Sequence, residues 1–258
     1  MSTPLLYPGS NELALPPNIH DLLDHSLVRA EDMEGANTRK YYVVGHPDLI
    51  VRYTQDAWPE DEQRALDSLA TITTQEISVL PHKQVEHPSR DYAYVVTKKV
   101  DGVPLDAALA ENPSQKLLEG VDQTWASLVD AVIHARDTGS TMPGDITGLC
   151  QYMLGTIDID PVERIRLVDL PSLHQDVSSD YHFTSELVVI ANGVADVEKI
   201  IDKPLENART AILGTVEEVT PKDKDTERLV RATYYVLENL VSLWPSEPEE
   251  IDELLAEQ

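Results

Sequence analysis

The chain has little of what would staple, anchor or strongly attract an anion. Of its 258 residues one is cysteine, Cys150, one is phenylalanine, and 20 are lysine or arginine against 46 aspartate or glutamate. A lone cysteine excludes an internal disulfide and points to a reducing compartment, the cytoplasm. No run of about 18 apolar residues occurs, and the opening MSTPLLYPGSNELALPPN lacks a basic region followed by an apolar core. Neither a membrane span nor secretion is therefore expected. The formal charge of −26 repels phosphate backbones and anionic lipid at long range, so nucleic acid and membrane surfaces are not expected partners. The plain reading of the acidity is a soluble protein kept apart by self-repulsion, with a salt-adapted proteome as the alternative. DNA mimicry is disfavoured, because the acids are interleaved with long apolar segments. Gly-x-Ser-x-Gly, the Walker loop and Gly-x-Gly-x-x-Gly are all missing, which removes the usual signatures of an α/β-hydrolase, a P-loop NTPase and a dinucleotide site.

What is there suits a globular protein: 41% hydrophobic and 26% charged residues, in a chain long enough to bury a substantial core. Pro4, Pro8, Pro16 and Pro17 make the first stretch read as an extended arm, residues 1–25. The other end, residues 247–258, reads as an acidic tail. Tyr41–Val44 and Leu49–Val51 are strand formers separated by Gly45, His46, Pro47 and Asp48, and predict a hairpin. Pro59 followed by acids predicts a helix start, with Ala65, Leu66 and Leu69 as its inner stripe. Another strand is expected at Tyr92–Val96, before a turn at Asp101 and Gly102.

Past residue 104 the period changes. Leu117, Leu118, Val121, Trp125, Leu128, Val129, Val132 and Ile133 recur at steps of three and four, and predict a long helix ending at Asp137–Gly139. Tyr152–Ile157 and Ile165–Leu170 predict a second hairpin, joined by 158–163 with Pro161 inside. Two further amphipathic helices are expected, one on Leu187, Ile190, Ala191, Val194, Val197 and Ile201, the other on Leu229, Val230, Thr233, Val236, Leu237, Leu240 and Val241.

This order of elements resembles the protein-kinase-like superfamily, in the small form of aminoglycoside phosphotransferase-type kinases. It implies an α+β, two-lobe protein-kinase-like fold: a β-rich N-lobe at 26–97 and a helical C-lobe at 98–246 that carries a catalytic-loop hairpin. SLVRAEDMEGANTRKYYVV (26–44) resembles the strands around a nucleotide-covering loop, with Gly35 as its glycine; an ordinary hairpin turn is the alternative reading. LIVRY (49–53) resembles the third strand, where the family carries a phosphate-binding lysine and this chain has Arg52. Glu62, or else Glu60, is the acid that would orient that cation. VVTKKVDGVPL (95–105) resembles the strand and hinge where the adenine is met, with Lys98 and Val100 as candidate contacts.

MPGDITGLCQYML (142–154) resembles the catalytic loop, which makes Asp145 the residue that orients the acceptor hydroxyl and takes its proton. The family's His is Pro143 here, its metal-binding Asn is Cys150, and Gln151 stands one place later. IRLVDLP (165–171) resembles the strand that ends in the metal aspartate, Asp169, followed by Leu170-Pro171 in place of Phe-Gly.

The resemblance implies ATP and Mg²⁺ as cofactors and a γ-phosphoryl transfer to a hydroxyl. A small-molecule acceptor is expected, because the chain is short and has no obvious docking insert; no protein partner is indicated. The alternative is a catalytically inactive pseudokinase acting as a binding or regulatory module, to which Arg52, Pro143, Gln151 and Leu170-Pro171 point. With so many acids, the nucleotide would be drawn in by Mg²⁺ and local cations such as Arg39, Arg52 and Lys98. The clusters around His82 and His87, and around His20 and His25, have a spacing that fits no metal frame and are read as solvated loop histidines. Cys150 has no adjacent base and is read as a small buried hydrophobe.

Overall fold

The computed structural model describes residues 13–29, 40–54, 77–86, 93–139, 141–143, 146–168 and 174–243. Gly35, Arg39, Glu60, Glu62, the helix expected after Pro59, Asp145, Asp169, Leu170-Pro171 and the acidic tail lie outside them.

The first lobe is an antiparallel sheet of five strands. β1 (Leu27–Arg29), β2 (Lys40–Val43), β3 (His46–Thr54), β5 (His82–Glu86) and β6 (Ala93–Lys98) lie in the order β1-β2-β3-β6-β5. The expected hairpin forms, turning at Gly45, whose φ of +81° is the left-handed conformation that glycine adopts without a side-chain penalty. Alternation along β3 sends Leu49 and Val51 into a core with Val43, Val85, Tyr94 and Val96. The same core takes Leu13, Ile19 and Leu23, because residues 19–25 of the expected arm form a helix, α1 (Ile19–His25), packed on this sheet. His20 and His25 are exposed on α1. His82 departs from its expected solvated state: it is buried on β5, where its Nδ1 donates to the Leu80 carbonyl at 3.0 Å.

The second sheet joins the lobes. β4 (Ile77–Val79), β7 (Asp101–Pro104), β9 (Tyr152–Ile157) and β10 (Asp160–Leu167) lie in the order β4-β10-β9-β7, with β4 parallel to β10. Asp101 and Gly102, expected as a turn, are therefore strand residues paired with Thr156 and Gly155. Pro161, expected in the hairpin's loop, lies inside β10, where the register shifts between Asp160 and Arg164. A third, two-stranded sheet pairs β8 (Thr141–Pro143) with β11 (His174–Asp176).

Helices make up the rest: α2 (Leu105–Ala110), α3 (Gln115–Thr138), α4 (Asp180–Ile201), α5 (Glu206–Glu217) and α6 (Lys224–Asn239). α3 carries the expected stripe. Its N-cap Ser114 accepts the Leu117 N–H, and it ends at Gly139, whose N–H returns to the carbonyls of Ala135 and Arg136. α4 and α6 match the other two expected helices, with caps Ser179 and Asp223. α5 is a helix the periodicity did not give. Its core contact is Ala208, Ile212 and Val216, and its N-terminus is capped from α3, where the Asp122 carboxylate accepts the N–H groups of Asn207 and Ala208 at 3.1 and 2.9 Å. Trp125, Val129, Leu187, Val188, Val194, Ile212 and Val236 belong to one continuous core between these helices. The chain is thus α+β and two-lobed, with its helical mass after residue 104.

Candidate functional site

Three elements converge on a cleft between the lobes. On β3, Ile50 and Arg52 share the face opposite Leu49 and Val51, and so turn away from the first lobe's core. On β9, Tyr152 is in the helical core whereas Met153 joins Leu80, Val100, Ile157 and Val168 in a small cluster of its own. Among the described residues the cleft is lined by Lys40, Ile50, Arg52, Leu80, Thr97, Lys98, Val100, Met153 and Val168. Of the predicted site residues, Arg52, Lys98 and Val100 are therefore brought together. Val168 directly precedes Asp169 in the chain.

The walls are held by backbone bonds within and between the sheets. The Leu80 N–H donates to the Leu167 carbonyl at 3.4 Å, the Lys98 N–H to Pro81 at 3.3 Å, and the Lys99 N–H to Asp48 at 2.7 Å. The Val168 N–H donates to the Gln151 carbonyl at 2.8 Å, which ties the end of β10 to the turn before β9. Gln151 is buried in that turn and is not among the residues that line the cleft. Cys150, expected buried, is exposed there. Tyr152 donates its hydroxyl to the Ile146 carbonyl at 2.6 Å and so fixes the segment just after position 145. Burial pushes its pKa up, which keeps it a donor.

The charges divide unequally. The Lys98 ammonium donates to Asp48 Oδ2 at 2.6 Å and Asp158 Oδ2 at 2.8 Å. Burial works against its charge, but the two carboxylates outweigh it and the pKa rises; the bond from Lys98 correspondingly lowers that of Asp48. Lys98 thus lines the cleft with its charge already matched inside the protein. Lys40, which the motif comparison did not single out, lies directly opposite Arg52 across β2 and β3 and lines the same cleft.

Behind the cleft, Arg166 is fully buried. It donates to the Gly155 carbonyl at 3.0 Å, the Asp160 carboxylate at 3.0 Å and the Val162 carbonyl at 2.9 Å, which closes the β9–β10 hairpin. Cations and apolar walls thus stand together in the cleft. The cavity is about 40 Å³, room for a water or two. Among the described residues no group of three His, Cys, Asp or Glu is placed to hold a metal ion. A larger cavity of about 260 Å³ lies beyond the hairpin, between Leu154 and Ile165 on one side and Pro113, Lys116 and Leu117 on the other.

No family model matches the chain, and no curated protein matches it. Among solved structures it is similar to WaaP in complex with acyl carrier protein, at 13% identity over 86% of this chain and 92% of that one, with a TM-score of 0.49. It is also similar to the kinase domain of maize sucrose-induced receptor kinase 1 bound to AMP-PNP, at 11% identity over 94% of both chains, with a TM-score of 0.40. The chain's own architecture is that of an α+β protein of two lobes, in which a sheet, a strand passing between the lobes, a long helix and a hairpin follow one another.

Proposed function

We propose that the chain binds Mg²⁺·ATP in the interlobe cleft and transfers the γ-phosphoryl group to a hydroxyl of a small molecule. One observation carries the reading: the cleft gathers Lys40 and Arg52 against the apolar residues Ile50, Leu80, Val100, Met153 and Val168, in a chain that is otherwise strongly acidic. In this reading the nucleotide's base lies on the apolar walls and its phosphates face the cations. Asp169, next after Val168, holds the metal, and Asp145 orients the acceptor hydroxyl. Bound Mg²⁺ would neutralise charge on the transferred group, and the residues named here position it.

The narrowness of the cleft and the matched charge of Lys98 favour a second reading, a pseudokinase that keeps the lobes but not the transfer. Calorimetric titration with ATP, with and without Mg²⁺, together with ADP formation over a panel of hydroxyl acceptors, separates the two. The kinase reading expects Mg²⁺-dependent binding that Asp169→Asn abolishes, and transfer that Asp145→Asn abolishes while binding stays. Binding without transfer to any acceptor favours the pseudokinase, and absence of nucleotide binding sinks the kinase reading and leaves a pseudokinase scaffold or a different role for the fold.

A further inference from the structure

Trp125 stands near the middle of α3 and is fully buried, yet its indole N–H has no hydrogen-bond partner among the described residues. A buried donor left without an acceptor costs free energy, so one in a native core calls for a reason. The space beside it is set by Gly193 on α4. A Cβ at that glycine would lie 2.5 Å from Trp125 Nε1, 2.8 Å from the Thr147 carbonyl oxygen and 3.1 Å from the Thr147 Cβ. The indole nitrogen and the Thr147 carbonyl thus flank one point on α4, which the missing side chain keeps open. In the interior of a 22-residue helix a glycine is otherwise a loss of stability relative to alanine.

Tyr152 on β9 lies against Trp125, with ring centroids 5.5 Å apart, and donates its hydroxyl to the Ile146 carbonyl at 2.6 Å. Two neighbouring rings, one from α3 and one from β9, therefore meet two successive buried residues. Tyr152 meets Ile146 through a formed hydrogen bond, and Trp125 brings a donor beside the carbonyl of Thr147. Ile146 and Thr147 follow directly on Asp145, so what fixes them fixes the chain as it leaves that position.

We infer that Trp125 is a positioning residue of the proposed transfer: its indole N–H is the donor that the Thr147 carbonyl takes up as the segment settles for reaction, and Gly193 keeps open the space in which the two meet. The inference rests on the phosphoryl-transfer reading above and adds to it a residue that does not line the cleft. Hydrogen bonds that support a reacting group often tighten only when the reactants are in place, and a displacement of about 1 Å there costs roughly 100-fold in rate. An indole suits the task, because it is a donor only and its ring is held by the core.

The test compares the wild type with Trp125→Phe, which keeps a ring but removes the N–H, with Gly193→Ala, with the double variant and, as a control, with Gly214→Ala, whose added Cβ meets nothing within 4 Å. Three quantities are read: kcat and KM for ATP in Mg²⁺-dependent ADP formation, with an acceptor from the panel above or with water; ATP affinity by calorimetry; and deuterium uptake over residues 146–152 by mass spectrometry. Trp125→Phe and Gly193→Ala are each expected to lower kcat about 10-fold or more, with KM and ATP affinity changed less than about 3-fold. The double variant should be no slower than the slower single, because both act on one contact. Gly193→Ala should speed deuterium uptake over 146–152 about 5-fold or more, and Gly214→Ala should change none of these. Circular dichroism checks folding, and Trp125→Phe alone decides should Gly193→Ala not fold. Unchanged kcat in folded Trp125→Phe, or effects that add in the double variant, overturns the inference and leaves the transfer reading standing. A wild type that forms no ADP overturns the transfer reading; faster uptake in Gly193→Ala then keeps Trp125 and Gly193 as the seat of the 146–147 segment, and unchanged uptake overturns that as well.

Discussion

Lys98 Nζ donates to Asp158 Oδ2 at 2.8 Å, and this bond joins the last residue of β6 in the first lobe to the β9–β10 turn of the second. Asp48, at the start of β3, takes the same ammonium at 2.6 Å. One cation thereby spans the side of the cleft where the chain passes from lobe to lobe. Its side chain is 10% exposed, whereas those of Asp48 and Asp158 are 37% and 46% exposed.

That difference in exposure fixes what removing Lys98 should do. In Lys98→Met the two carboxylates hydrate in place, so the loss is that of two ion pairs screened by solvent at their exposed ends, about 1–2 kcal/mol. The melting temperature should fall by roughly 3–6 °C, with ATP affinity changed less than 3-fold. A larger loss of ATP affinity at unchanged stability would show instead that Lys98 serves the phosphates.

β7 and β9 approach too closely for side chains where Gly102 meets Gly155. A Cβ at Gly102 would lie 2.1 Å from the Leu154 carbonyl oxygen and 2.7 Å from the Gly155 Cα, and both are backbone atoms that cannot swing aside. Gly102→Ala should cost about 3 kcal/mol or more through strain between β7 and β9. Gly214→Ala, on α5 with nothing within 4 Å of the added atom, should stabilise by about 1 kcal/mol. Urea unfolding of the two variants checks both signs; equal midpoints would refute the close packing of β7 on β9.

Local patterns encode some of these elements and not others. α3 is legible because its stripe runs unbroken from Leu117 to Ile133 and both caps lie in its own sequence, Ser114 and Gly139. α5 is not, because only Ala208, Ile212 and Val216 form its inner face and its capping carboxylate belongs to Asp122, more than 80 residues away. The hairpin at β9–β10 is legible, but its parallel neighbour β4 is a contact between distant segments that no local pattern encodes. At the site, Arg52, Lys98 and Val100 were found through motif position. Lys40 was not, because the shift of register between Tyr42 and Val43 that sets it opposite Arg52 has no local signature. The ion pairs of Lys98 reach 50 and 60 residues along the chain, so its neutralised state was equally hidden.

Glu186 on α4 is 4% exposed and its Oε1 has no hydrogen-bond partner. Burial pushes its pKa up to about 7. The folded state therefore holds this proton where the unfolded chain, at its ordinary carboxylate value, has released it. Stability is full below the unfolded pKa and is lost as pH rises through about 7. Asp48, Asp160 and Asp180, whose values are lowered, titrate below this window. Between pH 5 and 8 the wild type should lose on the order of 2–3 kcal/mol that Glu186→Gln retains. The two proteins should thus be close at pH 5 and separate at pH 8. Parallel urea midpoints across that range would show that Glu186 is not held protonated.

With a net charge of −26 the mean field opposes an incoming nucleotide, while Lys40 and Arg52 attract it from within the cleft. At about 0.02 M salt the screening length is roughly 20 Å and most of the acidic surface is felt; at 0.15 M it is about 8 Å, and distant acids are screened before a cation in contact with phosphate. ATP with saturating Mg²⁺ should bind as tightly or more tightly at 0.15 M than at 0.02 M, the reverse of the usual behaviour of a phosphate site on a basic protein. In Lys40→Met, with the contact attraction reduced, the gain from screening should be at least as large. Weaker binding by the wild type at the higher salt would mean that the cations dominate the field out to long range, against the charge balance of the chain.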